Sequence, residues 1–274
     1  MPTLPIGVLV PLTEGPDDEL AKLVKLGLHS CQVCCWKPQM YTPKLGQTLT
    51  QASRRHGVSV TTLWAGYPGP AVWNFTDGPK TIGLVPAAYR AERVEALKAA
   101  ARFAASIGLA SITTHVGFIP EDPNDALFAA TLEALRQVVE TCRAEGVEFW
   151  FETGQETPVT LLRTIEALRR TGLGVNLDTA NLILYGKANP VDALDVIGQF
   201  VRGVHAKDGL YPTDGDHLGK EVPLGQGKVD FPRFMARLRE LGYGGAITIE
   251  REISGPQQVK DIQAAVELLR PLCG

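Results

Sequence analysis

No stretch of this sequence reaches the roughly 18 uncharged apolar residues that a membrane-spanning helix requires. The nearest candidate, the alanine-rich segment around Ala99, is interrupted by Lys98 and Arg102. No cationic region precedes the short apolar run Ile6–Val10, which Pro11 closes, so a secretory leader is not expected. A strong charge of one sign is missing too: the formal net charge is -3 over 274 residues. That balance offers no electrostatic footprint for a polyanion, which disfavours nucleic acid as a partner. The expectation is a soluble, cytoplasmic chain with neither a membrane nor a nucleic-acid partner.

Cysteine is scarce and odd in number, five in all, with three in Cys31-Gln-Val-Cys34-Cys35. There is no second Cys-x-x-Cys pair to complete a zinc site. On a strand, Cys31 and Cys34 would face opposite ways, so reduced core thiols are expected. Low-complexity segments and domain-sized linkers are absent as well. With 45% apolar residues, the whole chain, 1–274, can bury one large α/β core as a single domain.

What is present is alternation. Strand-like runs at Ile6–Leu12, Gln32–Trp36, Val58–Trp64 and Ser111–Gly117 are followed by four more that end near Glu152, Asp178, His205 and Glu250. Between and after them lie helical stretches at Asp17–Leu26, Thr42–Arg55, Tyr89–Ile107, Asp122–Ala144, Pro158–Arg170, Pro190–Gln199, Phe231–Leu241 and Pro256–Leu269. Regular alternation implies parallel strands with right-handed crossovers, and eight units in this length predict a (β/α)8 TIM barrel. Gly57 is a plausible helix C-cap. Gly225-x-Gly227 lacks a following helix at the spacing of a nucleotide fingerprint and reads as a turn. The stretch Ala65–Ala88, rich in glycine and proline and carrying Tyr67, Trp73 and Phe75, reads as a lid or pocket wall.

The last four strands carry the chemistry. In Phe149-Trp-Phe-Glu152, Val175-Asn-Leu-Asp178, Val201-Arg-Gly-Val-His205 and Ala246-Ile-Thr-Ile-Glu250, alternate residues are apolar on one face, and the other face ends on a metal-capable side chain. Neighbouring strands lie about 4.8 Å apart, so four consecutive strand ends can converge on one ion at the barrel mouth. Three carboxylates and one imidazole suit a divalent ion; manganese (Mn), magnesium (Mg), cobalt (Co) or zinc (Zn) would all fit. His115 would point inward from the fourth strand. Lys207 shares the face of His205 and can contact a sugar oxygen, a phosphate or a carboxylate. Trp36 and Trp64, at the ends of the second and third strands, can wall a sugar ring.

The series Glu152, Asp178, His205, Glu250, with His205-Ala-Lys-Asp208 and Pro223-Leu-Gly-x-Gly227 between the last two, resembles the xylose-isomerase-like TIM-barrel superfamily. Within it the chain is similar to the sugar and sugar-phosphate isomerases and epimerases that include D-tagatose 3-epimerase. The resemblance implies that Glu152, Asp178, His205 and Glu250 bind one divalent metal, often manganese. It also implies that Glu152 and Glu250 act as acid and base at the carbon beside a ketose carbonyl, with the metal stabilising an enediolate. The implied activity is that of a metal-dependent sugar isomerase or epimerase in carbohydrate metabolism, with a small-molecule sugar or polyol-derived substrate. Oligomers are common in the group, which points to a homo-oligomer.

One position departs from the pattern: Asn181 stands where many of these epimerases have a substrate-binding histidine, so an amide would hold the sugar hydroxyl. Three other readings share the scaffold. A metal-dependent dehydratase or lyase of an inosose or keto acid would use the same metal and base. An endonuclease IV-like enzyme would need three zincs, with Asp214, Asp216 and His217 as further donors. A non-catalytic metal-sugar binding protein would keep the ligands alone.

Overall fold

Side-chain alternation decides the architecture. In the computed structural model, which describes residues 3–274, eight parallel strands close into a barrel: β1 (Ile6–Pro11), β2 (Ser30–Cys35), β3 (Ser59–Ala65), β4 (Ser111–Thr114), β5 (Glu148–Glu152), β6 (Leu173–Asp178), β7 (Val201–Ala206) and β10 (Ile247–Ile249). Each pairs with its sequence neighbours, and β10 returns to β1. Phe149, Phe151, Val175, Leu177, Val204, Ile247 and Ile249 are buried in the apolar layer beneath the helices. The opposite face fills the barrel interior. There Trp150 and Asn176 crowd Gly203, where an added Cβ would come within 2.2 Å of Asn176 Oδ1. A glycine in β7 is therefore what lets the interior close around the indole.

The helices start where side chains cap them. Thr42 opens α2 (Pro43–His56), Asp125 opens α5 (Ala126–Ala144), Thr157 opens α6 (Pro158–Leu168), Asn189 opens α8 (Pro190–Ile197) and Asp230 opens α9 (Phe231–Glu240). Each cap accepts a bond from a backbone N–H of the first turn, and four of these helices place proline in that turn, where no N–H is needed. Gly57 does end α2 in the left-handed region, at φ 61°. The remaining long helices are α1 (Pro16–Lys25), α4 (Ala87–Ser106) and α10 (Pro256–Cys273).

The structure corrects several expected boundaries. The fourth strand stops at Thr114 and the last at Ile249, so His115 and Glu250 each lie one residue beyond a strand, and Trp36 follows Cys35. A helix that apolar periodicity does not reveal, α7 (Thr179–Leu184), follows Asp178 directly. The Ala65–Ala88 stretch contains a single turn, α3 (Gly78–Thr81). After β7 the chain makes a two-stranded antiparallel hairpin, β8 (Asp208–Gly209) and β9 (Glu221–Val222). Among the described residues, no helix is long and apolar enough to cross a membrane.

Candidate metal centre

Glu152 and Asp178 are the last residues of β5 and β6, His205 is the penultimate residue of β7, and Glu250 follows β10. Register places Asp178 beside His205 and His205 beside Thr248, so the four side chains reach one point. One ligand atom from each lies within 4.8 Å of the others, and this is the one such His/Cys/Asp/Glu group among the described residues. Asp214, Asp216 and His217 bond to each other on the exposed hairpin loop and are not part of it. The three-zinc reading therefore lacks its additional sites.

The donors aim at a common centre and not at each other. His205 Nδ1 lies 2.9 Å from Glu152 Oε1 and 3.0 Å from Glu250 Oε2. Even so, His205 Nδ1, Glu250 Oε2 and Asp178 Oδ2 have no aligned hydrogen-bond partner, although all three atoms are buried. Buried polar atoms are normally satisfied, and three orphans facing one point are what a bound cation would satisfy. Glu152, Asp178 and His205 are fully buried; Glu250 is partly open to the cavity.

The electrostatics agree. Burial raises the Asp178 carboxyl well above its usual range, and the neighbouring Glu250 and Glu152 add to the effect. Burial works against charge on His205, but the Glu152 and Glu250 carboxylates overcome it and hold the imidazole well above its ordinary value. Burial likewise opposes ionisation of Glu250, and Lys207 and His205 overcome it. A divalent ion would stand where the imidazole proton now compensates these carboxylates.

A hydrogen-bonded chain behind the ligands fixes two of them. His205 Nε2–H donates to Gln32 Oε1 at 2.8 Å, which leaves the Nδ1 lone pair for a metal. Gln32 Nε2 donates to Asn176 Oδ1 at 3.0 Å, and Asn176 Nδ2 donates to Glu152 Oε2. Every amide orientation in this chain is determined by its neighbours. Asp178 has a second duty, since its Oδ1 accepts from Asn181 N at 2.6 Å as the N-cap of α7. One oxygen is thereby spent on the helix while Oδ2 remains for the ion.

Of the expected substrate residues, His115, Asn181, Trp36 and Trp64 line a cavity of about 350 Å³ together with Glu250. Burial lowers the His115 imidazole below its ordinary value, favouring a neutral ring that can both donate and accept. Lys207 does not line this cavity. Its ammonium is buried 2.9 Å from Glu252, 3.7 Å from Glu250 and 3.9 Å from Asp178, and it donates to Asn181 Oδ1 at 3.4 Å. A larger cavity of about 680 Å³ opens among residues such as Leu4, Ile6 and Gly245, at the opposite end of the strands. It lacks the tetrad, so the smaller one is the candidate site, at the C-terminal face where such barrels carry their chemistry.

Sequence reasoning missed Gln32, Asn176, Cys34, Tyr185 and Glu252. It also misplaced Cys34, which lines the cavity instead of the core. Its thiol is pushed up by burial and by Glu250, so it stays protonated. Cys31 is buried as expected. Asp208 explains the Gly225-x-Gly227 turn: its carboxylate accepts from Gly209 N, Gly225 N, Gly227 N and Val229 N, at 2.9, 2.9, 2.9 and 3.1 Å. The glycine loop wraps a carboxylate of its own chain, and a Cβ on Gly227 would fall 2.1 Å from it.

The 65–88 segment, expected as a lid or pocket wall, is fastened by Arg93, which is fully buried in α4. Its guanidinium donates to Pro68 O (3.0 Å), Pro70 O (2.8 Å), Thr81 O (2.8 Å) and Gly83 O (2.7 Å), with Tyr67 and Tyr89 stacked at 4.4 and 4.7 Å. Both legs of the 65–88 segment are thereby fastened, and Trp73 between them meets His115 at 5.3 Å. Lysine cannot reproduce this fork. Arg93→Lys is expected to increase proteolytic cleavage within residues 66–86 by about tenfold or more, the ratio that about 1.4 kcal/mol of lost local stability produces. Unchanged cleavage would show that the loop holds itself.

A protein-family profile described as xylose isomerase-like TIM barrel matches residues 20–272. A solved xylose isomerase domain protein from Planctomyces limnophilus is 35% identical, covers 99% of this chain and 98% of its own, and superposes with a TM-score of 0.92. A solved D-tagatose 3-epimerase-like protein is 21% identical, with coverage of 98% on both sides and a TM-score of 0.73. An uncharacterized protein of Methanocaldococcus jannaschii is 24% identical over 280 residues, which cover 97% of this chain and 87% of that one. With the profile spanning the tetrad and all eight barrel strands except β1, the chain belongs to the xylose isomerase-like TIM barrel family.

Proposed function

We propose that the chain is a divalent-metal-dependent isomerase or epimerase of a sugar or sugar-like ketose, with manganese as the ion. The observation that carries this reading is the pair of carboxylates, Glu152 and Glu250, flanking His205 Nδ1 at 2.9 and 3.0 Å beneath a cavity of small-molecule size. The D-tagatose 3-epimerase-like protein among the structures of the same barrel supports it.

A proton beside a carbonyl is too weakly acidic for a carboxylate to remove unaided. When bound, the divalent ion supplies positive charge beside the developing oxyanion. The residues do the rest. Glu250, open to the cavity, accepts the proton while the C–H electron pair moves toward the carbonyl and an enediolate forms. Glu152 returns a proton: at the same carbon from the other side the centre inverts, and at the neighbouring carbon the carbonyl migrates. His115 and Asn181 hold hydroxyls, and Lys207 keeps Glu250 charge-paired between turnovers.

The test is deuterium wash-in. Manganese-loaded protein in heavy water, given D-tagatose, D-psicose and D-fructose in turn, should exchange one carbon-bound proton of at least one ketose, followed by NMR. Glu250→Gln should slow that exchange about 100-fold or more, the size of a lost general base. No exchange on any ketose by fully loaded protein rejects the reading.

A further inference from the structure

The cavity above the tetrad is divided by chemistry. Its polar lining is Glu250, Glu252, His115, Asn181 and Tyr185, and the rest of the lining is apolar, led by Trp36, Trp64 and Trp73. Trp36 packs on Trp64 at 4.9 Å and on Tyr67 at 5.5 Å, and it meets Trp73 edge-on at 6.2 Å. Even so, Trp36 and Trp73 remain 39% and 42% exposed at the mouth. Two large aromatic rings held by packing and left half in water beside a cavity are apolar surface awaiting a ligand.

Charge points the same way. Glu152, Asp178, Glu250 and Glu252 face Lys207, whose ammonium is already shared among three of them, and the His205 imidazole, which is buried between Glu152 and Glu250. The cavity lining holds no arginine or lysine. A phosphate group arriving there would lose its water and meet carboxylates, with no guanidinium fork to receive it.

We propose that this site takes an uncharged glycoside whose sugar ring bears the ketone the reaction needs and whose aglycone is apolar, the sugar hydroxyls beside His115 and Asn181 and the aglycone against Trp36 and Trp73. This deepens the isomerase reading and rests on the same cavity. Aromatic faces receive the C–H faces of a sugar and an aryl or alkyl substituent alike, whereas a free ketohexose would leave the outer wall unused.

Calorimetry separates this inference from the reaction, because simple glucosides bind without needing to turn over. Manganese-loaded protein is titrated with phenyl β-D-glucopyranoside, methyl β-D-glucopyranoside and glucose 6-phosphate. The phenyl glucoside should bind about tenfold tighter than the methyl glucoside, as burial of most of a phenyl ring implies, and the phosphate weakest of the three. Trp73→Ala, at a position 42% exposed at the mouth, should remove most of the phenyl preference and weaken the methyl glucoside far less. Equal affinities, tightest binding by the phosphate, a phenyl preference that survives Trp73→Ala, or no heat from the phenyl glucoside would each overturn the proposal. A positive result beside a failed deuterium exchange would keep the ligand class and discard the reaction.

Discussion

Manganese added in excess to metal-stripped protein is expected to raise its thermal midpoint by about 10 °C, and the rise should vanish in His205→Ala. An ion that binds only the folded chain at about 1,000 times its Kd adds about 4 kcal/mol, and about 2–4 °C accompany each kcal/mol in chains of this size. The unfolded chain scatters the four ligands, so the condition of selective binding is met. The ligands are already assembled: His205 Nδ1 sits 2.9 and 3.0 Å from two carboxylate oxygens, and three donor atoms lack any aligned partner. Removing the imidazole takes away the one nitrogen donor and leaves the carboxylates facing each other. Gln32→Leu is the finer test, because it spares all four ligands and breaks the chain through Asn176 to Glu152. Loss of such an orienting partner lowers metal affinity about 10–100-fold. A manganese affinity unchanged in Gln32→Leu would mean that packing alone orients His205, and a midpoint insensitive to manganese in the wild type would remove the metal from the site.

The tetrad was legible because each member ends an apolar run, where strand parity reports the face and chain order reports the neighbour. Parity also predicted that Lys207 would share the face of His205, and the structure buries it against Glu250 and Glu252. What parity cannot report is a partner distant in sequence. Gln32 bonds to residues 144 and 173 positions away, and in the sequence it is one amide in a cysteine-rich strand. Its signal was its polarity on a barrel-facing position, the same signal that singled out the tetrad. Arg93, between Glu92 and Val94, reads like the solvated side of a helix, and only the folded loop brings four carbonyls to it. The α7 helix was hidden because six consecutive residues, Thr179–Leu184, are all buried and so show no amphipathic period. The boundary errors at His115 and Glu250 have a common cause. A strand at the barrel mouth loses its ladder partner before its apolar pattern stops, so pattern overruns pairing by a residue or more.

Glu156→Gln is expected to stabilise the protein at pH 8–9 by about 4–5 kcal/mol and to change it by less than about 1 kcal/mol at pH 5, order-of-magnitude figures that follow from linkage. Glu156 is 3% exposed, and its Oε2 has no hydrogen-bond partner. Burial pushes its carboxyl from 4.5 to about 8; its own backbone N–H and Lys187 oppose the shift and Glu152 reinforces it. The sign follows from where the proton resides. Below pH 4.5 both folded and unfolded chains carry it and folding costs nothing extra. Between 4.5 and about 8 the unfolded chain releases a proton that the folded chain retains, so stability falls throughout that window and levels off above it. Glutamine has the same shape and no charge to lose, so the variant should lack this slope. The measurement is urea unfolding of both proteins across pH 5–9 with saturating manganese, which holds the tetrad constant. A wild type whose stability over that range runs parallel to the variant's would show that folding does not raise this carboxyl, and would overturn the prediction.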